Sequence, residues 1–227
     1  MDFTDDDEKQ VCEYTPKYGF NSYNSVSFDD HIILGQDYIR YKPEKIIFWT
    51  SQLGVITGIQ TWYRNIINNN YIHSGENKGL DSKYKHEFNL KPNEYLTNCE
   101  IMATEENIAK INLKTNLGQS FEIGITEGKQ IPLDYLGYGN KIIISFMGNF
   151  NKCLESFGLH IIDYKEYMKV MFIGYYELKK KLKDDEKRKE YLLKMNNKEY
   201  EFEDKVILRT CMLPNGPFNE IMKYCVF

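Results

Sequence analysis

The sequence lacks the cysteine patterns that would hold a small domain together covalently. Its five cysteines, at positions 12, 99, 153, 211 and 225, are odd in number, and no two of them form a Cys-x-x-Cys pair. We therefore expect neither a disulfide framework nor a structural zinc site. The many asparagines include no Asn-x-Ser/Thr glycosylation sequon. These observations favour reduced thiols in an intracellular protein.

The sequence also has no segment typical of secretion or membrane anchoring. Its first ten residues are acidic and contain neither the apolar run of a signal peptide nor the arginines of a transit peptide. No apolar run approaches the roughly 20 residues that a membrane-spanning helix needs. The formal net charge of -4 gives no general attraction to nucleic acid or to anionic lipid. We expect a soluble cytoplasmic protein that neither binds nucleic acid nor inserts into membranes.

Motifs for catalysis and metal binding are sparse. The four histidines, His31, His73, His86 and His160, lack the spacing of a motif such as His-Glu-x-x-His, so we expect them to make ordinary hydrogen bonds. A thiol pair between Cys153 and His160 would need a β-bulge, because side chains seven positions apart lie on opposite faces of a regular strand. We predict no enzymatic activity, no metal and no cofactor, with a thiol enzyme at Cys153 as the minor alternative.

What the sequence does contain is short runs of apolar and aromatic residues. Hydrophobic residues make up 42% of the chain and aromatic residues 15%, which suits a core built on pleated sheets. From Tyr18 to Ile162, alternating runs are separated by turns such as Ser51–Gly54 and Thr115–Gly118. Residues 65–87 are polar and predict a loop. No helical pattern interrupts the runs, so we predict an all-β sandwich or barrel-like fold.

The segment from Lys141 to His160 has the strongest strand pattern. Ile142, Ile144 and Phe146 recur at period two, and Ile143 lies on the opposite face. Apolar residues on both faces predict a strand that is buried on both sides.

A hairpin is expected within this segment. Gly148, followed by Asn149 and Asn151, predicts its turn. Gly158, inside the returning apolar run, predicts a bulge or a close approach of another backbone. We expect the loop from Gly148 to Glu155 to be involved if the protein binds a small ligand.

The two ends of the chain differ from the middle in composition and in residue pattern. Residues 1–16 predict an acidic flexible head, in which adjacent aspartates cannot readily converge on one calcium ion. Residues 165–227 predict a charged helical extension with a short strand and an apolar tail. Within it, residues 179–189 carry seven Lys/Arg and three Asp/Glu, a net of +4, which indicates a solvated helix face or a docking surface for an acidic partner.

The middle of the chain contains four features in a fixed order. They are Tyr18-Gly19 with Ser27–Asp30, Ile56–Gln60 with Tyr63 and His73–Gly75, Phe88–Leu96 with Ile111–Gly118, and Ile144–Gly148 leading to Leu154–Gly158. Their order and spacing resemble a jacalin-type lectin domain over residues 17–164. The resemblance implies a β-prism, in which three four-stranded antiparallel sheets are arranged with pseudo-threefold symmetry.

The resemblance also implies where a sugar would bind. Members of this family bind sugars without a metal, through an N-terminal glycine-rich loop and a Gly-x-x-x-Asp turn whose carboxylate accepts sugar hydroxyls. Glycines in such a site let the backbone approach the sugar closely. The corresponding positions of this chain are Gly19, Phe20, Asn21, Asn151, Lys152, Cys153 and Glu155.

This chain departs from the family pattern at the site. Asn151 replaces the glycine of the turn, and Glu155 replaces the aspartate, which displaces the carboxylate by about 1.5 Å. Phe20 and Tyr23 should add bulk to the pocket. Our first hypothesis is a non-catalytic interaction or structural module that docks in a larger protein assembly through its C-terminal extension. The alternative is a carbohydrate-binding lectin of altered specificity.

Overall fold

The computed structural model describes residues 12–66, 70–79, 82–91, 94–125, 129–131 and 140–169. The chain divides into two units, and all of these residues except Lys169 belong to the first, Met1–Met168. The helix predicted at residues 175–195 and the apolar tail predicted at residues 218–227 lie outside the described residues. The domain boundaries and the docking role of the extension therefore stay predictions.

Short strands dominate the described residues. They are β1 (Cys12–Tyr14), β2 (Tyr18–Gly19), β3 (Val26–Asp29), β4 (Tyr41–Thr50), β5 (Ile56–Asn65), β6 (Tyr71–His73), β7 (Asn77–Lys78), β8 (Tyr84–Asn89), β9 (Leu96–Ala103), β10 (Ile108–Thr115), β11 (Ser120–Gly124), β12 (Lys129–Ile131), β13 (Lys141–Phe150) and β14 (Leu154–Asp163). Helix α1 (Asp30–Leu34) and a 3₁₀ helix (Gly35–Arg40) connect β3 to β4. Residues 164–169 are helical.

The strands form three antiparallel sheets, each four strands wide. The first has β14 and β13 at its centre, with β1 and β2 along β14 and β3 along β13. The second has β5 and β4 at its centre, flanked by β6, β7 and β8. The third runs in the order β12, β9, β10, β11. One residue pair, Ile143 with Leu96, joins the first and third sheets at an edge. This arrangement confirms the predicted β-prism.

One hydrophobic core is shared by the three sheets. Phe146 and Phe157 of the first sheet, Phe48 of the second and Ile111 of the third are fully buried in it. The rings of Phe146 and Phe157 stack with centroids 5.4 Å apart, and Phe48 stacks on Phe121 at 5.9 Å. Since burying one such side chain contributes about 1.5–3 kcal/mol, this core accounts for the stability of the prism.

Strand β13 departs from regular alternation. Its register with β14 shifts at Ile144, which is the mark of a β-bulge. The core side chains are consequently Ile143 before the bulge and Phe146 after it. The predicted common face for Ile142, Ile144 and Phe146 is therefore wrong, because one extra residue exchanges the two faces. The prediction of burial on both sides is confirmed, since all residues between the ends of β13 are buried.

The glycines of this hairpin have roles other than turning the chain. Gly148 lies inside β13, where a Cβ would be 2.4 Å from the backbone oxygen of Ser156. The turn is instead Asn151–Cys153, closed by a 3.0 Å bond between the N–H of its first residue and the C=O of its last. The close backbone approach predicted at Gly158 is confirmed, because a Cβ there would lie 3.1 Å from the backbone oxygen of Pro16.

Two connecting segments differ from the sequence prediction. Helix α1 begins after Asp29, whose carboxylate accepts a 3.0 Å hydrogen bond from the N–H of His31 as an N-cap. Five residues are too few for a helical periodicity to be visible in the sequence. Residues 65–87 contain β6, β7 and the start of β8 rather than only a loop. In the described part of the chain, no helix is both long and apolar enough to cross a membrane.

Candidate functional site

The structure brings together the two halves of the predicted site. Strand β2 places Gly19 opposite Ser156 of β14. The backbone N–H of Phe20 donates to the backbone oxygen of Glu155 at 2.9 Å. The loop Gly19–Asn21 therefore lies against the segment Asn151–Glu155, as the family resemblance implies.

Gly19 permits this contact. Its φ of +107° belongs to a region that favours glycine, and a Cβ would lie 2.3 Å from the backbone oxygen of Glu155. A side chain at this position would push the loop away from β14. Glycine is thus required here for close approach to the chain itself.

A second glycine, which the sequence did not indicate, supports the turn from the other side. A Cβ on Gly79 would lie 2.2 Å from the backbone oxygen of Lys152. The N–H of Gly79 also donates to the backbone oxygen of Thr57 at 2.8 Å. The turn between β13 and β14 is therefore held between the N-terminal loop and a loop of the second sheet.

The carboxylate of Glu155 accepts hydrogen bonds from Ser22. The Ser22 hydroxyl lies 2.8 Å from each of Oε1 and Oε2, and the Ser22 N–H donates to Oε2 at 3.1 Å. Glu155 is only 6% exposed. The carboxylate that the family resemblance assigns to sugar hydroxyls thus already accepts both donor hydrogens of Ser22, one from its amide and one from its hydroxyl. Sequence reasoning missed Ser22, because the two residues are 133 positions apart and no local pattern connects them.

A second group of hydrogen bonds holds the same loop. Oδ1 of Asn149 accepts from Nζ of Lys17 at 3.1 Å and from Oγ of Ser156 at 3.1 Å. Nδ2 of Asn149 donates to Oγ of Ser25 at 3.4 Å, and Ser25 donates to Oδ1 of Asn21 at 2.8 Å. Asn21, a predicted sugar-binding residue, is therefore part of an internal network that was not foreseen.

The bulky residues of the loop face solvent. Tyr23 is fully exposed, Phe20 is 44% exposed and Val26 is 56% exposed. That Phe20 and Tyr23 add bulk to the pocket stays a prediction. The pocket is restricted by the Ser22–Glu155 contact, and the rings are left available on the surface.

A cleft whose lining does not include Glu155 lies beside the turn. It has a volume of about 360 Å³ and is lined by Lys152 and Cys153 together with residues near the β4–β5 turn, including Leu53 and Lys83. The cleft includes two of the predicted sugar-binding residues.

Cys153 is not paired with His160. His160 contacts Asp29 and Cys12 instead. Burial raises the pKa of the Cys153 thiol above its usual value, and the carboxylates of Glu155 and Glu106 raise it further. The neutral thiol is the weaker nucleophile, so the surroundings of Cys153 do not activate it for thiol catalysis.

A model of the family described as "Jacalin-like lectin domain" matches residues 18–160, more than half of the chain. The chain belongs to this family. Members of the jacalin-like lectin family are non-enzymatic carbohydrate-binding proteins. No match to this chain was found among curated protein sequences.

Solved structures show the same fold at low sequence identity. AcmJRL, a mannose-binding jacalin-related lectin from Ananas comosus, is 17% identical with a TM-score of 0.52, covering 68% of this chain and 99% of its own. Calystegia sepium agglutinin is 15% identical with a TM-score of 0.52, covering 66% and 96%. Malaysian banana lectin is 14% identical with a TM-score of 0.51, covering 67% and 99%. The jacalin-like fold therefore occupies about two thirds of this chain.

Proposed function

We propose that this jacalin-like domain is a non-catalytic interaction module in a larger protein assembly, and that it does not bind sugar at Glu155. The observation that supports the proposal is the contact of Ser22 with both carboxylate oxygens of Glu155. The family scaffold is retained, while the group that would receive the sugar has an internal partner.

The energetics of this contact oppose sugar binding. A hydrogen bond to a charged group contributes about 1.5–3 kcal/mol net, so a sugar hydroxyl that displaced Ser22 would gain little more than the chain loses. Glu155 is also buried, and the displaced Ser22 hydroxyl would need a new partner. Only a ligand with substantial additional contacts could overcome this exchange.

The exposed loop offers contacts suited to a protein. Phe20, Tyr23 and Val26 lie close together in sequence and are exposed. Aromatic residues are enriched at protein interfaces, where they bury a large apolar area with few rotatable bonds. The docking role of the C-terminal extension is a separate part of this proposal.

The test is a comparison of two binding assays on the full chain. We expect no binding across a broad glycan array, and we expect cross-linking in extracts of the native cell to retain defined protein partners. The double variant Phe20→Ser/Tyr23→Ser should lose a partner that Leu117→Ser retains. Leu117 is 52% exposed in the turn between β10 and β11. A monomeric protein without any cross-linked partner would contradict the proposal.

A lectin of altered specificity is the second candidate. It is supported by the cleft of about 360 Å³ beside Lys152 and Cys153, which leaves room for a ligand outside the Glu155 carboxylate. The similar lectin from Ananas comosus is described as mannose-binding. Glycan binding that survives in Glu155→Ala but is lost in a folded Lys152→Ala variant would support this candidate, and binding that Glu155→Ala abolishes would overturn the first proposal.

An intracellular location is part of the first proposal. Cys12, Cys99 and Cys153 are free thiols in the described residues, and Cys12 and Cys99 are buried. Free thiols persist most readily in reducing compartments. Imaging of the tagged protein in its native cell tests this, and a purely extracellular signal would contradict it.

A further inference from the structure

We propose that Cys12, His31 and His160 form a binding site for a transition-metal ion, with Zn²⁺ as the best match. The three residues come from β1, α1 and β14. One ligand atom from each lies within 4.8 Å of the others. The jacalin-like fold brings them together at the edge of the first sheet, apart from the Glu155 turn.

The orientation of His160 suits a metal ligand. Its Nδ1 lies 4.0 Å from Sγ of Cys12, and its Nε2 lies 2.9 Å from Oδ1 of Asp29. If Nε2–H donates to the carboxylate, Nδ1 carries the lone pair and faces the sulfur. Metal-binding histidines usually donate the second ring N–H to a carboxylate, a backbone carbonyl or a water molecule, which fixes the tautomer and the ring orientation.

Asp29 positions both histidines. The same oxygen, Oδ1, accepts a 3.0 Å hydrogen bond from the backbone N–H of His31 and so fixes the start of α1. The two imidazole rings stack with centroids 4.7 Å apart and an interplanar angle of 24°. The Asp29 carboxylate thus holds the His160 ring of β14 against helix α1, which carries the His31 ring.

His31 has an unsatisfied nitrogen. Its Nδ1 is buried and has no hydrogen-bond partner among the described residues. Leaving a buried polar atom without a partner costs about 1–3 kcal/mol. A bound ion, or a water molecule on that ion, would give this nitrogen a partner.

The distances are compatible with a tetrahedral ion after a small movement. Zn–S bonds of about 2.3 Å and Zn–N bonds of about 2.0–2.1 Å place ligand atoms about 3.3–3.8 Å apart, so the widest separation must shorten by about 1 Å. The partly exposed His31 ring, which packs against Tyr38 with centroids 4.1 Å apart, would have to rotate to supply this movement. One thiolate and two imidazoles favour Zn²⁺ or Co²⁺ over Mg²⁺ or Ca²⁺, and water would complete the tetrahedron.

Cobalt titration of the full chain, purified under reducing conditions and freed of metal, tests the site. We expect one Co²⁺ per chain with a thiolate-to-cobalt charge-transfer band, displaced by Zn²⁺. Cys12→Ser should remove the band, and His31→Ala should weaken binding at least tenfold. Cys153→Ser and His73→Ala, which alter a cysteine and a histidine elsewhere, should leave the affinity and the band unchanged.

Asp29→Asn gives a sharper readout. Asparagine is also a good N-cap, so α1 should persist while the acceptor for His160 changes. Loss of such a supporting group typically weakens metal affinity about 10–100-fold, and we expect a decrease in that range. Circular dichroism establishes that each variant is folded. If Cys12→Ser does not fold, the cobalt affinities of His31→Ala and Asp29→Asn decide the test.

Three outcomes would overturn the site. One is the failure of Co²⁺ to bind stoichiometrically. Another is binding without a thiolate band in the unsubstituted chain. The third is a band that survives in Cys12→Ser or disappears in Cys153→Ser. None of these measurements depends on whether the domain binds proteins or sugars.

Discussion

Ser22 donates its backbone N–H and its hydroxyl to the carboxylate of Glu155, which lies 133 positions further along the chain. The contact joins the N-terminal loop to β14 at the position that the family resemblance predicts for the sugar-binding carboxylate. A loop that could receive a ligand is thereby made part of the fold. The stability of the prism and the accessibility of the site should consequently change together.

Removing the Ser22 hydroxyl should destabilise the protein. In Ser22→Ala the buried carboxylate of Glu155 loses a donor to both oxygens, so we expect the free energy of unfolding to fall by about 1–3 kcal/mol. Urea denaturation measures the change. The control is Ser120→Ala, which removes an exposed 2.9 Å hydrogen bond to Asn112 and should have little effect. Equal losses in the two variants would contradict the structural role of Ser22.

Two glycines should not tolerate alanine. Gly19→Ala places a Cβ 2.3 Å from the Glu155 backbone oxygen at a φ of +107°, and Gly79→Ala places one 2.2 Å from the Lys152 oxygen. Because the backbone must move in both cases, we expect the free energy of unfolding to fall by about 1–3 kcal/mol in each variant. Thermal denaturation measures the loss. Gly75→Ala, with no atom near its Cβ position, is the matched control. Wild-type stability in Gly79→Ala would mean that the turn is not held as described.

The rate at which Cys153 is alkylated should rise steadily with pH and show no plateau near pH 7. Burial and two nearby carboxylates raise the pKa of its thiol, so the reactive thiolate is the minor form at pH 7 and increases about tenfold per pH unit. Iodoacetamide labelling followed by peptide mass spectrometry gives the rate for each cysteine. Cys99 should react more slowly at every pH, because it is fully buried and burial raises its thiol pKa strongly. A plateau in the Cys153 rate below pH 7 would revive the thiol-enzyme alternative.

Lys42 should be more important to stability than a surface lysine. Its buried Nζ donates to the backbone oxygens of Lys91 at 2.8 Å and Glu94 at 2.7 Å, which ties β4 to the segment before β9. Lys42→Met keeps the length of the side chain but leaves these carbonyls without that donor, so we expect a loss of about 1–3 kcal/mol. Lys85→Met removes only a surface ion pair with Glu87, which typically contributes about 0–1 kcal/mol. Chemical denaturation that ranks the two variants equally would contradict this assignment.

Much of the fold could be predicted because its signals are local. In β10 the alternation of Ile111 and Leu113 with Lys110 and Lys114 gives the observed pattern of buried and partly exposed residues. The bulge at Ile144 gives no such signal, and it reversed the predicted faces of one strand. Strands of two or three residues, such as β6 and β7, are too short for alternation to reveal them.

The sequence by itself determined the family and the longer strands of the prism, and it predicted the positions that correspond to the sugar site. Each of these depends on neighbouring residues or on an ordered set of short patterns. Only the tertiary structure decided that Ser22 hydrogen-bonds to Glu155, and that Cys12 and His31 lie against His160 beside Asp29. The physical reason is that hydrogen bonds and metal-ligand geometry depend on positions in space. Residues more than a hundred positions apart acquire those positions only when the sheets close around one core.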